Sequence, residues 1–367
     1  MKQTLLLPFY FLLICSCTQS QVTNNADSSH PTAGQTNDQS GKTDQPQDVL
    51  KLTKREVIDK QGTGLVASTF LLPADWTVQD QLYWDYNDAT QPTRVRASMK
   101  SGDGSMAIQI FPNVRAVYST GPAGASGYPP PKDIITGMKE LIRQERPGIN
   151  YKFVSEKVLQ NTNQQTQYGM QYNQAGVIRI EYTENGKTQS EDFFATLEIV
   201  DVVTPSMMGN MESIVWAAAG LYACKASAEK LPECEKIAQT INSSAAFTKP
   251  FYNRYLQVVQ LLSDQVYASI YQAGQISKII SQTNDQMIAN IDASYRQSQA
   301  ANDRVNDQFS DYIRGVDRYD NGGDEVQLPS GYSNAWVNDK GEYLLSSSPG
   351  YNPSDDFYGN WKELRKN

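Results

Sequence analysis

Phe70-Leu71-Leu72-Pro73-Ala74-Asp75-Trp76 reads as a strand running into a Leu-Pro-x-x-Trp turn, and the folded region works outward from it. The strand begins near Leu65, where branched and aromatic residues first gather. Short strand candidates follow at Val78–Trp84, Val95–Lys100 and Ser105–Phe111. A Gly/Pro-rich loop spans Pro112 to Pro131. Asp133 then opens a helix with Ile134, Ile135, Met138, Leu141 and Ile142 on one side, and Pro147-Gly148 ends it.

Further strands are predicted at Tyr151–Leu159, Gln165–Tyr172, Val177–Glu184, Phe193–Val203 and Ser213–Tyr222. Between two of them, Glu184-Asn185-Gly186-Lys187 is a strong hairpin signal, because Asn-Gly tolerates positive φ at both central positions. Glu229–Ile241 reads as a closing helix with Leu231, Cys234, Ile237 and Ile241 on one face. The order of strand, Leu-Pro-x-x-Trp turn, strand pairs, helix, strand run and final strand–helix unit resembles the PsbP-like fold. Phe70–Trp76 is one match, and Val215-Trp216 with Glu229–Ile241 is the second. The resemblance implies an antiparallel sheet packed with helices, a scaffold for binding and assembly, and no catalytic residues.

From Phe251 to Arg314 the character changes. There is no proline and only Gly274, and apolar residues from Leu262 to Ile313 recur at three- and four-residue steps. One continuous helix of that length would reach about 95 Å; breaks near Gly274 or residues 298–304 are the alternative, with part of the segment docked on the sheet. Gly315 stops it. Val326–Leu328 follows as a short strand, then a hairpin of Asn334–Val337 and Glu342–Ser346 around Asn338-Asp339-Lys340-Gly341. The string Leu328-Pro329-Ser330-Gly331-Tyr332, Trp336, Gly341-Glu342-Tyr343 and Tyr351-Asn352-Pro353, placed after Ile313–Val316, is similar to a terminal module of bacterial envelope proteins with no assigned activity. The expected fold is therefore α+β: an antiparallel sheet packed with helices over 49–250, a long polar amphipathic helix over 251–315, and a C-terminal aromatic β-hairpin over 316–367.

Upstream of the folded region, Lys2, an apolar run from Leu5 to Ile14 and Ile14-Cys15-Ser16-Cys17 follow one another. The run is too short to span a bilayer as a permanent helix. The order resembles a bacterial lipoprotein signal and lipobox over residues 1–17, which implies lipidation of Cys17; Cys15 lacks the small residue before it, and an ordinary secretory signal is the alternative. Acyl chains on one cysteine satisfy the two-chain requirement for stable anchoring. Residues 18–48 are mostly Gln, Asn, Thr, Ser, Asp, Gly and Pro and form a disordered tether. It spans about 30 Å on average and about 100 Å at full stretch.

The net charge of −8 and the scattered Lys and Arg exclude a nucleic-acid footprint. Cys224 and Cys234 remain after export, an even pair that predicts a disulfide closing a loop of about ten residues, with two buried thiols as the alternative. His30, the only histidine, lies in the tether, so Ser-His-Asp, Cys-His and His-based zinc chemistry have no oriented imidazole. No phosphate- or dinucleotide-binding fingerprint occurs, and neither cofactor nor metal is expected. The acidic run Asp317–Glu325 lacks EF-hand spacing and reads as a turn.

Two binding or catalytic constellations are left. The aromatics Tyr332, Trp336, Tyr343, Tyr351 and Trp361 crowd the C-terminus as a recognition surface or as a small core. Glu181, Glu191, Asp192, Glu198 and Asp201 sit on or beside strands as solvated faces or as a carboxylate pair. The reading is a lipid-anchored cell-envelope protein, folded in the periplasm or at the cell surface, with a non-enzymatic binding or assembly role toward an envelope protein or glycan. A carboxylate-dependent hydrolase acting on envelope polysaccharide is the alternative.

Overall fold

Leu50 and Leu52 alternate with polar neighbours, and this segment forms the first strand, β1 (Val49–Ile58). The computed structural model describes residues 49–266 except 90, 123, 167–168 and 207–208, then 294–296, 298–300, 309, and 315–367 except 323–324. The signal, Cys17, the tether and His30 lie outside the described residues. After β1 the chain forms β2 (Val66–Pro73), β3 (Thr77–Trp84), β4 (Thr93–Lys100), β5 (Met106–Ile110), β6 (Val114–Gly121) and β7 (Gly124–Gly127). Helix α1 (Ile134–Glu145) precedes four long strands, β8 (Tyr151–Thr166), β9 (Gly169–Glu184), β10 (Lys187–Ser206) and β11 (Gly209–Ala226). Then come α2 (Leu231–Ser244), β12 (Ala246–Phe247) and α3 (Lys249–Val266). The C-terminal part holds β13 (Val316–Asp320), β14 (Glu325–Pro329), β15 (Asn334–Asn338), β16 (Tyr343–Ser346), β17 (Trp361–Glu363) and β18 (Arg365–Lys366).

Among the described residues the strands make three antiparallel sheets. The largest has the path β3-β4-β5-β11-β10-β9-β8, with β6 joining β11 and β7 joining β6, and it curves as a half-barrel. The second runs β12-β2-β1-β16-β15-β17, so the first strand of the folded region pairs with the C-terminal hairpin, Leu52 against Tyr343. The third is β14-β13-β18. Helix α2 packs between the half-barrel and β2, burying Leu231, Cys234, Ile237, Ala238 and Ile241 in a core shared with Phe70, Leu72, Met99, Ile108 and Tyr222. Helix α1 covers the opposite face of the half-barrel, with Ile134, Met138 and Ile142 against Ile178, Phe193 and Leu221.

Local signals act as their chemistry requires. The Asp133 carboxylate accepts from the Thr136 N–H at 2.7 Å and caps α1. Asn185 and Gly186 both take positive φ, +51° and +75°, between β9 and β10. Asn338 Oδ1 accepts from the N–H groups of Lys340 and Glu342 and fixes the β15–β16 turn.

The α+β expectation is corrected. The molecule is mostly antiparallel β-sheet, because segments read as loops or short strands are strands. The run Gln160–Thr166, polar throughout, continues β8 since β9 supplies its ladder bonds. Most of the Pro112–Pro131 loop is the β6–β7 hairpin, with β6 paired to β11 from Val114 to Thr120.

The single long helix over 251–315 is corrected as well. In an unbroken helix Tyr252 and Tyr295 would lie about 65 Å apart. Their ring centroids are 5.4 Å apart, and the Tyr295 hydroxyl donates to the Phe247 carbonyl at 2.6 Å. The chain therefore folds back on α3. Residues 267–293, 301–308 and 310–314, which together hold most of the expected apolar stripe, lie outside the described residues.

Candidate functional site

A bulge in β11 shapes the site. Phe194 pairs with Tyr222 and Thr196 with Ala219, so Ala195 alone faces both Gly220 and Leu221. Gly220 has φ +58°, a conformation that is easy only without a Cβ. At the bulge β11 exchanges partners: Tyr222–Ala226 pair with β5, and Glu212–Ala218 pair with β6. The Phe111 N–H donates to the Leu221 carbonyl at 2.9 Å, and the Thr196 hydroxyl donates to the Ala219 carbonyl at 3.0 Å. These bonds satisfy backbone that the bulge takes out of the ladder.

Between this kink, α2 and β1–β2 lies a cavity of about 400 Å³. That volume is within the usual range of small-molecule sites, and well-packed cores hold few voids larger than a water. Val57, Phe70, Ala97, Met99, Phe111, Leu221, Tyr222, Ile241 and Phe309 are its buried floor. Ser68, Gln91, Asn113, Asn242, Ser298 and Gln299 are half-buried and supply its polar lining. None of the described lining residues carries a charge.

The Tyr222 ring stacks on Phe194 with centroids 4.6 Å apart. Its hydroxyl is buried without a hydrogen bond of good geometry, and the Asn242 amide is the polar group beside it. Burial first, then the neighbouring Cys224 and Glu235, push the Tyr222 hydroxyl far above its ordinary range and keep it protonated.

A smaller groove of about 280 Å³ lies on the other face, between α1 and the half-barrel, lined by Val114, Leu141, Leu197, Trp216 and Ala218. Pro129 and Pro131 line it too, and the Trp216 indole N–H donates to the Tyr128 carbonyl at 2.9 Å.

The C-terminal aromatics do not form one surface. Strand alternation sends Tyr343 to a core with Leu52, Leu71, Tyr319 and Leu328, against which Tyr332 packs. It sends Trp336 to the other side, where it meets Leu344 and Tyr351 edge-on, with Phe357 and Trp361 alongside. Trp336, Tyr343 and Tyr351 are buried. These rings fill two small cores, as a thin terminal sheet requires.

The strand carboxylates do not converge over a cleft either. Glu191 and Asp192 are adjacent and so point to opposite faces of the sheet. Glu191 is buried and accepts from Arg146 and from the Tyr182 hydroxyl. Asp192 is buried and accepts two bonds of 2.7 Å from Arg179. On that side Asp192 also shares a hydrogen bond with Glu235 of α2; burial, then Asp192, raise the Glu235 carboxyl well above the ordinary carboxylate range, with Arg179 opposing. Glu181 pairs with Lys152 at 3.0 Å, and Glu198 accepts from Gln171 at 2.6 Å. Asp201 is half-buried near the β10–β11 tip; burial and then Glu212 raise its carboxyl. In the acidic run, Asp317 pairs with Lys366 and Glu325 with Arg318.

Cys224 and Cys234 are free thiols in the shared core rather than a disulfide. Burial foremost, then the adjoining Cys234, raises the Cys224 thiol well above its ordinary range. Thiols held this way behave as small apolar groups. Sequence spacing indicated that the two meet but not that they stay reduced.

No family model and no curated protein matches the chain. Among solved structures it aligns with LpqN, involved in cell envelope biogenesis of Mycobacterium tuberculosis, at TM-score 0.20 and 12% identity, over 54% of this chain and 91% of that one. At that TM-score the likeness settles neither fold nor function.

Proposed function

We propose that this is an envelope lipoprotein that binds an apolar ligand: Cys17 carries the lipid, residues 18–48 are the spacer, and the cavity beneath the Gly220 bulge is the binding site. The observation that carries the binding role is the cavity itself, about 400 Å³ of apolar floor with an uncharged polar lining. The anchor rests on Lys2, Leu5–Ile14 and Ile14-Cys15-Ser16-Cys17. A hydrolase has less support, because none of the described cavity-lining residues is a carboxylate and each buried strand carboxylate is engaged by an arginine.

Two experiments test this. Titration with the neutral fluorophore N-phenyl-naphthylamine should saturate with the wild-type protein, and Ala97→Trp or Ala219→Trp, which project into the cavity, should abolish the signal while circular dichroism is retained. Undiminished binding by both folded variants would place the probe elsewhere. Cys17→Ser should move the protein from membrane to soluble fractions; continued membrane retention would defeat the anchor.

A further inference from the structure

The polar groups along the cavity share one property. Gln91, Asn113, Asn242 and Gln299 are amides, and Ser68 and Ser298 are hydroxyls, so every half-buried polar side chain among the described lining residues is neutral. A ligand carboxylate, phosphate or ammonium entering here would lose its hydration without a counter-ion, a loss that neutral dipoles replace only in part. The nearest buried carboxylate salt-bridged to Arg179 makes an anion worse. Asp192 lies close enough to Tyr222 to influence its titration, in the direction that disfavours negative charge. Asp192 is already held by Arg179 through two bonds of 2.7 Å, so that cation is not offered to the cavity.

Tyr222 adds a second, independent observation. Its hydroxyl is buried, protonated and without a well-formed hydrogen bond, next to the Asn242 amide. A buried donor left unpaired costs free energy that a ligand oxygen would recover. The Tyr222 hydroxyl, beside the Asn242 amide, supplies one donor, a match for a single neutral oxygen function on an otherwise apolar body.

Resting on the cavity reading above, we propose that the occupant is an uncharged amphiphile, an aliphatic chain bearing a hydroxyl, ester or amide, whose oxygen meets Tyr222 and Asn242. The neutral lining selects against the same chain ending in an ionised group.

Competition tests this on the full chain. With N-phenyl-naphthylamine bound, decanol and decanoate are titrated at about pH 8, where the acid is ionised. Decanol should displace the probe at a concentration at least about tenfold lower than decanoate. Tyr222→Phe should weaken decanol about fivefold, with the competition corrected for the variant's own probe affinity. Equal competition by decanoate, or an unchanged decanol curve in Tyr222→Phe, overturns the selectivity while leaving the cavity reading intact. Failure of the wild-type protein to bind the probe overturns both. The decanol–decanoate comparison needs no variant, so it decides even if Tyr222→Phe folds poorly.

Discussion

The Phe309 ring stands at 90° to the Tyr222 ring with centroids 5.8 Å apart, and at 80° to Phe194 at 5.5 Å. One aromatic from the far end of the polar segment thus closes the inner wall of the cavity. Phe309→Ala would remove a fully buried ring and two edge-on contacts. The expected loss is about 3–5 kcal/mol of unfolding free energy, read by urea denaturation. A loss below about 1 kcal/mol would mean that the segment does not pack there.

Gly220 is the second point of control. At φ +58° a β-branched residue is strained, so Gly220→Val should cost about 1–2 kcal/mol or more, and Gly220→Asn distinctly less. The ordering Val below Asn below Gly in the urea midpoint is the test; Val and Gly at the same midpoint would refute the bulge.

The Glu235–Asp192 contact sets a pH dependence. In the fold the Glu235 carboxyl is raised to about 9, above its unfolded value, so the native state holds a proton that the unfolded chain releases. The associated stability is fully present below the unfolded pKa and is lost as pH rises through the folded one. Wild-type stability should therefore fall between about pH 5 and about pH 9 more steeply than that of Glu235→Gln, which keeps a neutral donor toward Asp192. Parallel curves for the two proteins would show that Glu235 is ionised in the fold.

Cys224 and Cys234 should resist alkylation in the native protein and react once it is unfolded, without any reductant. Peptide mapping checks this. Labelling that requires a reductant as well as denaturant would show the disulfide instead.

Sequence signals of short range were legible and those of long range were not. Asp133, Asn185-Gly186 and the Asn338–Gly341 turn each act within four residues, and each is where the sequence places it. Strand β1 was missed because the ladder that completes it comes partly from β16, at the other end of the chain. The polar half of β8 was missed because its side chains face solvent, so no hydrophobic period marks it. The helices Ile134–Glu145 and Leu231–Ser244 carry apolar stripes that mark them in the sequence, whereas the polar strands carry no such mark, and the sequence alone therefore reads as α+β.

The cavity was illegible for a related reason: its wall is assembled from β1, β2, β4, β5, β11, α2 and Phe309. One cue was available. Gly220 interrupts the strand read at Ser213–Tyr222, and an isolated glycine within a strand marks a bulge or a close approach. The crowded C-terminal aromatics were the louder signal, yet alternation divides them between two small cores.

The most direct test of the cavity is a crystal structure of the protein grown with ω-bromodecanol, located by anomalous scattering from bromine. The predicted result is a single strong bromine peak walled by Phe70, Ala97, Met99 and Ile110, with the alcohol oxygen near Tyr222 and Asn242. Bromine found only on the outer surface, with the floor beneath Gly220 closed by its own side chains, would contradict a ligand-binding role.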